Sequence, residues 1–362
     1  MSSELLFLSE PEMIKAGGLD MEMCLSAVEE MYRLIHRGDY IMGGPSLNEH
    51  GIRLVFPETS SFPDMPLAGP DRRFMAMIAY VGGRYNVCGC KWYGSNRANL
   101  EKGLPRSNHL VIVNDSDTGM PLCAMVGNLV SAMRTGAVPG IAAKYLARDG
   151  AGVLGLVGAG VINHATLMGM VHTMPDLRLV KVYDIVAEKS RSFSKEMAEA
   201  FGVRVEAVGS LEDAVVGSDV VHVAASGKNP PHLRTEWLSD DVLIELSAGG
   251  KLDDDFLFGA NLVMDNYAMH DVWYDTDRID VPSFEVVRLV REGKLSREQD
   301  IIEMGAVVEG AAANRVKNGR PTIFNAQGMP VYDVSFAYDI YQRALRQGNG
   351  IKLPLWDAPH WV

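Results

Sequence analysis

From residue 153 onward the chain repeats one pattern, an apolar run of strand length followed by a stretch that suits a helix. The runs are "VLGLVG" (153–158), "LVKVYD" (179–184), "VRVEAV" (203–208), "DVVHVAA" (219–225), "DVLIELSA" (241–248) and "NLVMDN" (261–266). They are continuously apolar rather than alternating, as expected of strands buried on both faces, and crossover helices are what cover both faces of a parallel sheet. Helical stretches separate the first three runs, notably 188–201, and a short one at 211–217 precedes the fourth. The pattern predicts an α/β fold, a Rossmann-type doubly wound parallel sheet spanning about 130–320.

The flanking segments have a different texture. Residues 20–37 begin with a capping Asp20 and keep Met23, Ala27, Met31 and Leu34 at helical spacing, which predicts an amphipathic helix ending before Gly38. Residues 41–126 break into short β-prone runs, and "NDSDTGMP" reads as a turn between antiparallel neighbours. Residues 128–147 suit a helix that Pro139 should kink or divide. The tail "PVYDVSFAYDIYQRALRQ" is a helix with aromatic residues on one side, expected to return to the first domain. The returning tail predicts that residues 321–362 join residues 1–129 in one α+β domain, with the doubly wound domain inserted at 130–320.

A formal charge of −12 argues against phosphate backbones and anionic lipid, so nucleic acid and membranes are not expected partners. No apolar run reaches the roughly 18 residues of a membrane span, and the start meets acidic residues too early for a secretory signal, which predicts a cytoplasmic protein. Cys24, Cys88, Cys90 and Cys123 are too irregular for a disulfide framework, and the nine His show no ligand spacing, so no metal is predicted.

Within the first apolar unit lies "GAGVIN". Gly158 permits a tight turn, Gly160 allows pyrophosphate to approach the backbone, and the amides of Val161 and Ile162 open a helix facing the anion. Asp184 ends the next strand, 26 residues after Gly158, where an acidic side chain accepts from ribose hydroxyls and repels a 2′-phosphate. The cofactor implied is NAD. Asn163 replaces the third small residue, predicting a slightly displaced helix in which Asn163 caps the helix or bonds a phosphate oxygen.

Upstream, Lys91 sits on a probable strand, Arg106 follows a Gly-Leu-Pro turn and Arg134 lies in a helix beside Thr135. Arg suits a carboxylate bidentately, and each cation taken alone is most simply a solvated charge. Together with "FLSE", "KWYGSNRAN", "GLP", "NDSDTGMP", "SAMRTGAV", "VYD", "ASGKNPPHLRTEWL" and "RPTIFNAQG", these residues resemble the ornithine cyclodeaminase and mu-crystallin family over most of the chain. The resemblance implies a homodimer of two-domain subunits, in which the discontinuous domain of residues 1–129 and 321–362 supplies substrate contacts and the dimer interface. It implies that Lys91 and Arg134 grip a substrate carboxylate, with Lys91 also catalytic, and that Arg106, Thr135, Val161, Ile162, Asp184 and Ser226 touch the cofactor.

Three departures qualify it. The cyclodeaminase aspartate after the fifth strand is missing from "ELSAGGKLDDD"; the N-terminal "PPR" arginine is replaced by Ser46 or Asn48, with Arg53 the later candidate anchor; and a late serine becomes Ala326. Loss of the aspartate favours net redox chemistry at the Cα–N bond of an amino acid, opine-like secondary amine or cyclic imine. "KWYGSNRANLEKGLPR" and "VGAGVIN" are closest in wording to the aminocarboxyethyl-glutamate dehydrogenase branch. The alternatives are an NAD-dependent cyclodeaminase in which Glu245 or Asp253 replaces the aspartate, and a mu-crystallin-like protein that binds dinucleotide and a small ligand without turnover.

Overall fold

The structure, a computed structural model, describes residues 3–225, 229–276 and 281–361. It divides into two compact units, one of Met1–Met23, Gly38–Arg134 and Met329–Val362, the other of Cys24–Arg37 and Thr135–Gly328.

In the first unit, strands β1 (Ser3–Leu8), β2 (Tyr40–Met42), β3 (Ile52–Val55), β4 (Arg73–Val81), β5 (Val87–Ser95), β6 (Ser107–Asp115) and β7 (Pro121–Val126) join the closing strand Ile351–Trp356 in one sheet. The order is closing strand–β1–β7–β6–β5–β4–β2, with β3 also on β4. Among the described residues of this sheet only the β1–β7 pair runs parallel. The turn between β6 and β7 is set by Asp115, whose carboxylate accepts from the Thr118 amide (2.8 Å) and hydroxyl (2.6 Å). Along β5, Val87, Gly89, Lys91, Tyr93 and Ser95 alternate inward. The helix Pro330–Gln347 covers that inner face, so close that a Cβ on Gly89 would lie 2.8 Å from the Val334 side chain. Lys91 thus occupies a core position of a strand, with a helix above it.

The second unit is a wholly parallel sheet of β8 (Val153–Val157), β9 (Leu179–Tyr183), β10 (Arg204–Ala207), β11 (Val220–Ala224), β12 (Leu243–Ala248), β13 (Asn261–Met264), β14 (Ile301–Glu303) and β15 (Thr322–Asn325). Its order is β10-β9-β8-β11-β12-β15-β13-β14, which reverses direction at β8/β11 and opens the crevice where doubly wound folds bind ligands. The unit extends beyond 320 because β15, buried at all four residues, pairs with both β12 and β13. Residues 24–37 also belong to it: Gly305 approaches the Tyr32 carbonyl so closely that a Cβ would stand 2.6 Å away, and Arg37 pairs with Glu309 at 2.7 Å.

Pro139 does not divide its segment, which is one helix from Asn128 to Leu146. Gly136 and Gly140 lie on this helix where it meets the helix Val161–Thr173; a Cβ on Gly136 would fall 2.2 Å from the Ala165 carbonyl carbon, and one on Gly140 3.2 Å from Gly169. Bare glycine surfaces allow this backbone-to-backbone contact.

Candidate active site

In the first unit the predicted carboxylate grip is buried and already engaged. Lys91 Nζ donates to Asp333 Oδ2 at 2.9 Å, and Arg134 Nε donates to Asp333 Oδ1 at 3.0 Å. Lys91 is 2% exposed, Arg134 7% and Asp333 0%. A lone buried charge is costly, and two cations around one carboxylate offset that cost only by close pairing. Burial pushes the Lys91 ammonium down to about 8, with Arg134 adding to the effect and Asp333 opposing it. Burial acts to raise the Asp333 carboxyl, but Arg134 and Lys91 outweigh it and hold it below the ordinary carboxylate value. The cluster carries a net positive charge, as a second carboxylate would require.

Two further side chains share the face of Lys91. Tyr93 stacks on His109 with ring centroids 4.8 Å apart, and Lys91 Nζ lies 5.6 Å from the Tyr93 ring centre. Burial and then the Lys91 charge push His109 down to about 4, so it is neutral at pH 7. Arg53 lies opposite Met75, which lies opposite Tyr93, and this register puts Arg53 on the Lys91 face two residues along. Arg106 is paired with Asp71 at 2.9 Å.

In the second unit the glycine turn has the geometry of a dinucleotide loop. Gly158 has φ +100°, and a Cβ there would sit 2.6 Å from the Ala224 carbonyl. Gly160 caps the helix Val161–Thr173 with no side-chain cap, and open space surrounds the place a Cβ would take. Val161, 70% exposed, begins the helix and Ile162 follows, so their amides lie in the first turn, which makes no intrahelical bond. Asp184 accepts from the Ala159 amide (2.9 Å) and the Val186 amide (2.9 Å), which ties the acid to the turn. Thr135 is at the start of this unit's share of the Asn128–Leu146 helix. Ser226 lies outside the described residues.

Asn163 corrects one expectation. It is fully buried, and its amide nitrogen donates to the Val157 (3.1 Å) and Gly158 (2.5 Å) carbonyls while its oxygen faces His222 Nδ1 at 2.6 Å. Every polar atom is engaged inside the fold, so Asn163 neither caps the helix nor reaches a phosphate.

The family model described as the ornithine cyclodeaminase/mu-crystallin family matches residues 20–348. The chain belongs to the ornithine cyclodeaminase/mu-crystallin family. Among its relatives, the N-((2S)-2-amino-2-carboxyethyl)-L-glutamate dehydrogenase of Staphylococcus aureus is 28% identical over 98% of this chain and 100% of its own length. The alanine dehydrogenase of Archaeoglobus fulgidus is 29% identical over 97% of this chain and 98% of its own. Among solved structures, an archaeal alanine dehydrogenase dimer with bound NAD superposes with a TM-score of 0.79 at 26% identity, covering 98% of this chain and 100% of that one.

The two acids expected as stand-ins for a cyclodeaminase aspartate, Glu245 and Asp253, lie on β12 and at the start of the helix Asp254–Gly259. Glu245 is 0% exposed, neither of its carboxylate oxygens has a hydrogen-bond partner among the described residues, and burial pushes its pKa well above the ordinary value. Asp253 is exposed and accepts from His232 Nε2 (2.8 Å) and Thr235 Oγ1 (2.9 Å). At the carboxyl ends of β12 and β15 a cleft of about 300 Å³ is lined by Gly249, Gly250, Lys251, Glu285 and Asn325. Among the described residues no cluster of His, Cys, Asp and Glu is arranged to hold a metal.

Sequence reasoning missed Asp333, His109 and His222. Asp333 carried a signal: it is an acid on the buried face of the tail helix, and a buried acid demands a cationic partner.

Proposed function

We propose that the protein is an NAD-dependent oxidoreductase acting at the Cα–N bond of an amino acid, opine-like secondary amine or cyclic imine. The observation that carries this reading is the buried Lys91–Asp333–Arg134 cluster, a two-cation site that already holds one carboxylate and bears surplus positive charge. Its likeness to two dehydrogenases along nearly their full lengths supports the redox assignment. The glycine turn fits NAD by its positive φ, the open space at Gly160 and the uncapped helix start.

At this turn NAD would supply a hydride acceptor for the substrate α-carbon, with an imino acid, NADH and a proton as products; imine reduction would be the reverse. Lys91 and Arg134 orient the substrate through its carboxylate, with Arg53 a further anchor. A Lys91 ammonium that loses its proton near pH 8 can also hand a proton to, or take one from, the substrate nitrogen. Arg106, Thr135, Val161, Ile162 and Ser226 are assigned to the cofactor, and Asp184 favours NAD over NADP by repelling a 2′-phosphate. Asn163 supports the turn from beneath.

A homodimer and a cytoplasmic location complete the reading. The sheet face opposite the Pro330–Gln347 helix exposes Ile52, Leu54, Phe74, Ile78 and Trp92, and Phe74 stacks on Trp92 at 5.7 Å. A patch of this kind suits burial against a second copy, and the archaeal alanine dehydrogenase noted above is a dimer. No helix among the described residues is long and apolar enough to cross a membrane.

The test is a screen of amino acids, secondary amines and cyclic imines with NAD(H) and NADP(H), following absorbance at 340 nm and ammonia together. NADH formation or consumption matched to substrate supports the proposal. Ammonia release without net NADH supports a cyclodeaminase, and tight NADH binding without turnover supports a binding protein.

A further inference from the structure

Beneath the glycine turn runs a buried chain of side chains that no step above uses. Asn163 Nδ2 reaches two carbonyls, Val157 O and Gly158 O, and His222 Nδ1 lies 2.6 Å from Asn163 Oδ1. His222 Nε2 lies 2.9 Å from Ser247 Oγ on β12. His222 and Asn163 are both 0% exposed.

The donors and acceptors allow one arrangement. Carbonyls only accept, so the Asn163 atom facing them is its NH2 group, and the oxygen points to His222. That oxygen requires a proton on His222 Nδ1. A neutral imidazole has one N–H, so Nε2 is bare and accepts from the Ser247 hydroxyl. Burial pushes His222 down to about 3, which keeps the ring neutral. Across the strand pair stands Glu245, itself held towards its uncharged form by burial.

The consequence falls on two successive peptide planes of the turn. In the Val157–Gly158 plane the carbonyl takes the Asn163 amide, and the Gly158 N–H donates to Tyr183 O at 2.7 Å. In the Gly158–Ala159 plane the carbonyl takes Asn163 again, and the Ala159 N–H donates to Asp184 at 2.9 Å. Both planes are held at both ends. Asn163 supplies one end of each, and its own rotamer is held by His222.

We propose that His222 is a positioning residue for the dinucleotide, setting the glycine turn through Asn163 with Ser247 as the outer anchor. The proposal rests on the reading that this turn holds NAD. It also explains why Asn stands where a small residue is usual: the side chain replaces close packing with a fixed hydrogen-bond brace.

The experiment measures the NADH dissociation constant by fluorescence for wild type, His222→Leu, His222→Asn, His222→Gln and Ser247→Ala. An Asn amide nitrogen overlays imidazole Nδ1, whereas a Gln nitrogen overlays Nε2. Loss of one buried hydrogen bond predicts weakening of about tenfold for His222→Leu and His222→Gln, with His222→Asn restored to near wild type and Ser247→Ala weakened less. A purely structural role would affect Asn and Gln alike. In addition, ¹⁵N spectra of the wild-type imidazole should show an Nδ1–H tautomer that does not titrate between about pH 5 and 8. Unchanged NADH affinity in His222→Leu, equal weakening by Asn and Gln, or an Nε2–H tautomer overturns the proposal. Wild-type protein that binds neither NAD nor NADH refutes the cofactor reading, and the positioning role falls with it; normal wild-type binding with an unaffected His222→Leu refutes the positioning role alone.

Discussion

Replacing Asp333 by Asn removes the one charge that holds Lys91 and Arg134 in the core while keeping its shape. With Asp333 2.9 Å from Lys91 and 3.0 Å from Arg134, each attraction is roughly 5 to 6 kcal/mol at an effective dielectric of about 20. Desolvation of all three groups offsets much of that gross value. Breaking such a buried cluster from one side costs about 3 to 5 kcal/mol, because the partners are left as uncompensated charges. That corresponds to a fall of roughly 10 °C in the unfolding midpoint. The native Asp333 carboxyl lies below its unfolded value, so its contribution is present above about pH 4 and is lost as pH falls through the native pKa. The gap between wild type and Asp333→Asn should therefore narrow in acid. The assay is thermal unfolding of both proteins across pH, repeated for Asp333→Ala with millimolar formate. The vacated space in Asp333→Ala should admit formate and recover part of the stability by mass action, with no such effect on wild type. A variant within about a degree of wild type at pH 7 would mean that Asp333 does not hold the two buried cations in place, since the size of the expected shift rests on the burial of both.

Two more outcomes follow from the same electrostatics. Binding of an unreactive small carboxylate should weaken as pH rises through about 8, where Lys91 loses its proton, and isothermal titration from pH 6 to 10 checks this; a flat profile contradicts it. Glu245→Leu should stabilise the protein, because a carboxyl whose native pKa is raised costs nothing below its unfolded value and increasingly more as pH climbs above it. Chemical unfolding at pH 5 and 8 should show the larger gain at pH 8.

What was legible in the sequence is what depends on neighbours along the chain. The parallel sheet follows from runs of apolar residues, and the turn at Gly158 from backbone freedom that only glycine supplies without strain. Lys91 was legible as a strand residue. Its partner was not, because Asp333 lies 242 residues away and only the return of the tail helix over β5 joins them. β15 escaped notice for a similar reason: "TIFN" is four residues long and takes its identity from strands on either side. Asn163 was expected to displace the helix slightly and to cap it or bond a phosphate oxygen; its amide instead donates to two carbonyls that lie next to it only once β8 and the helix Val161–Thr173 have packed. His222 within the apolar run "DVVHVAA" was a polar residue in a buried strand, a signal that something must satisfy both of its nitrogens.

Lys91 is proposed to grip the substrate without taking part in holding the dinucleotide. Steady-state turnover at 340 nm and the NADH dissociation constant, measured side by side on Lys91→Met, separate the two roles. In Lys91→Met, kcat/KM should fall by about a thousandfold while NADH affinity stays within about twofold of wild type. Turnover within about threefold of wild type, or an equal loss of NADH binding, would contradict it.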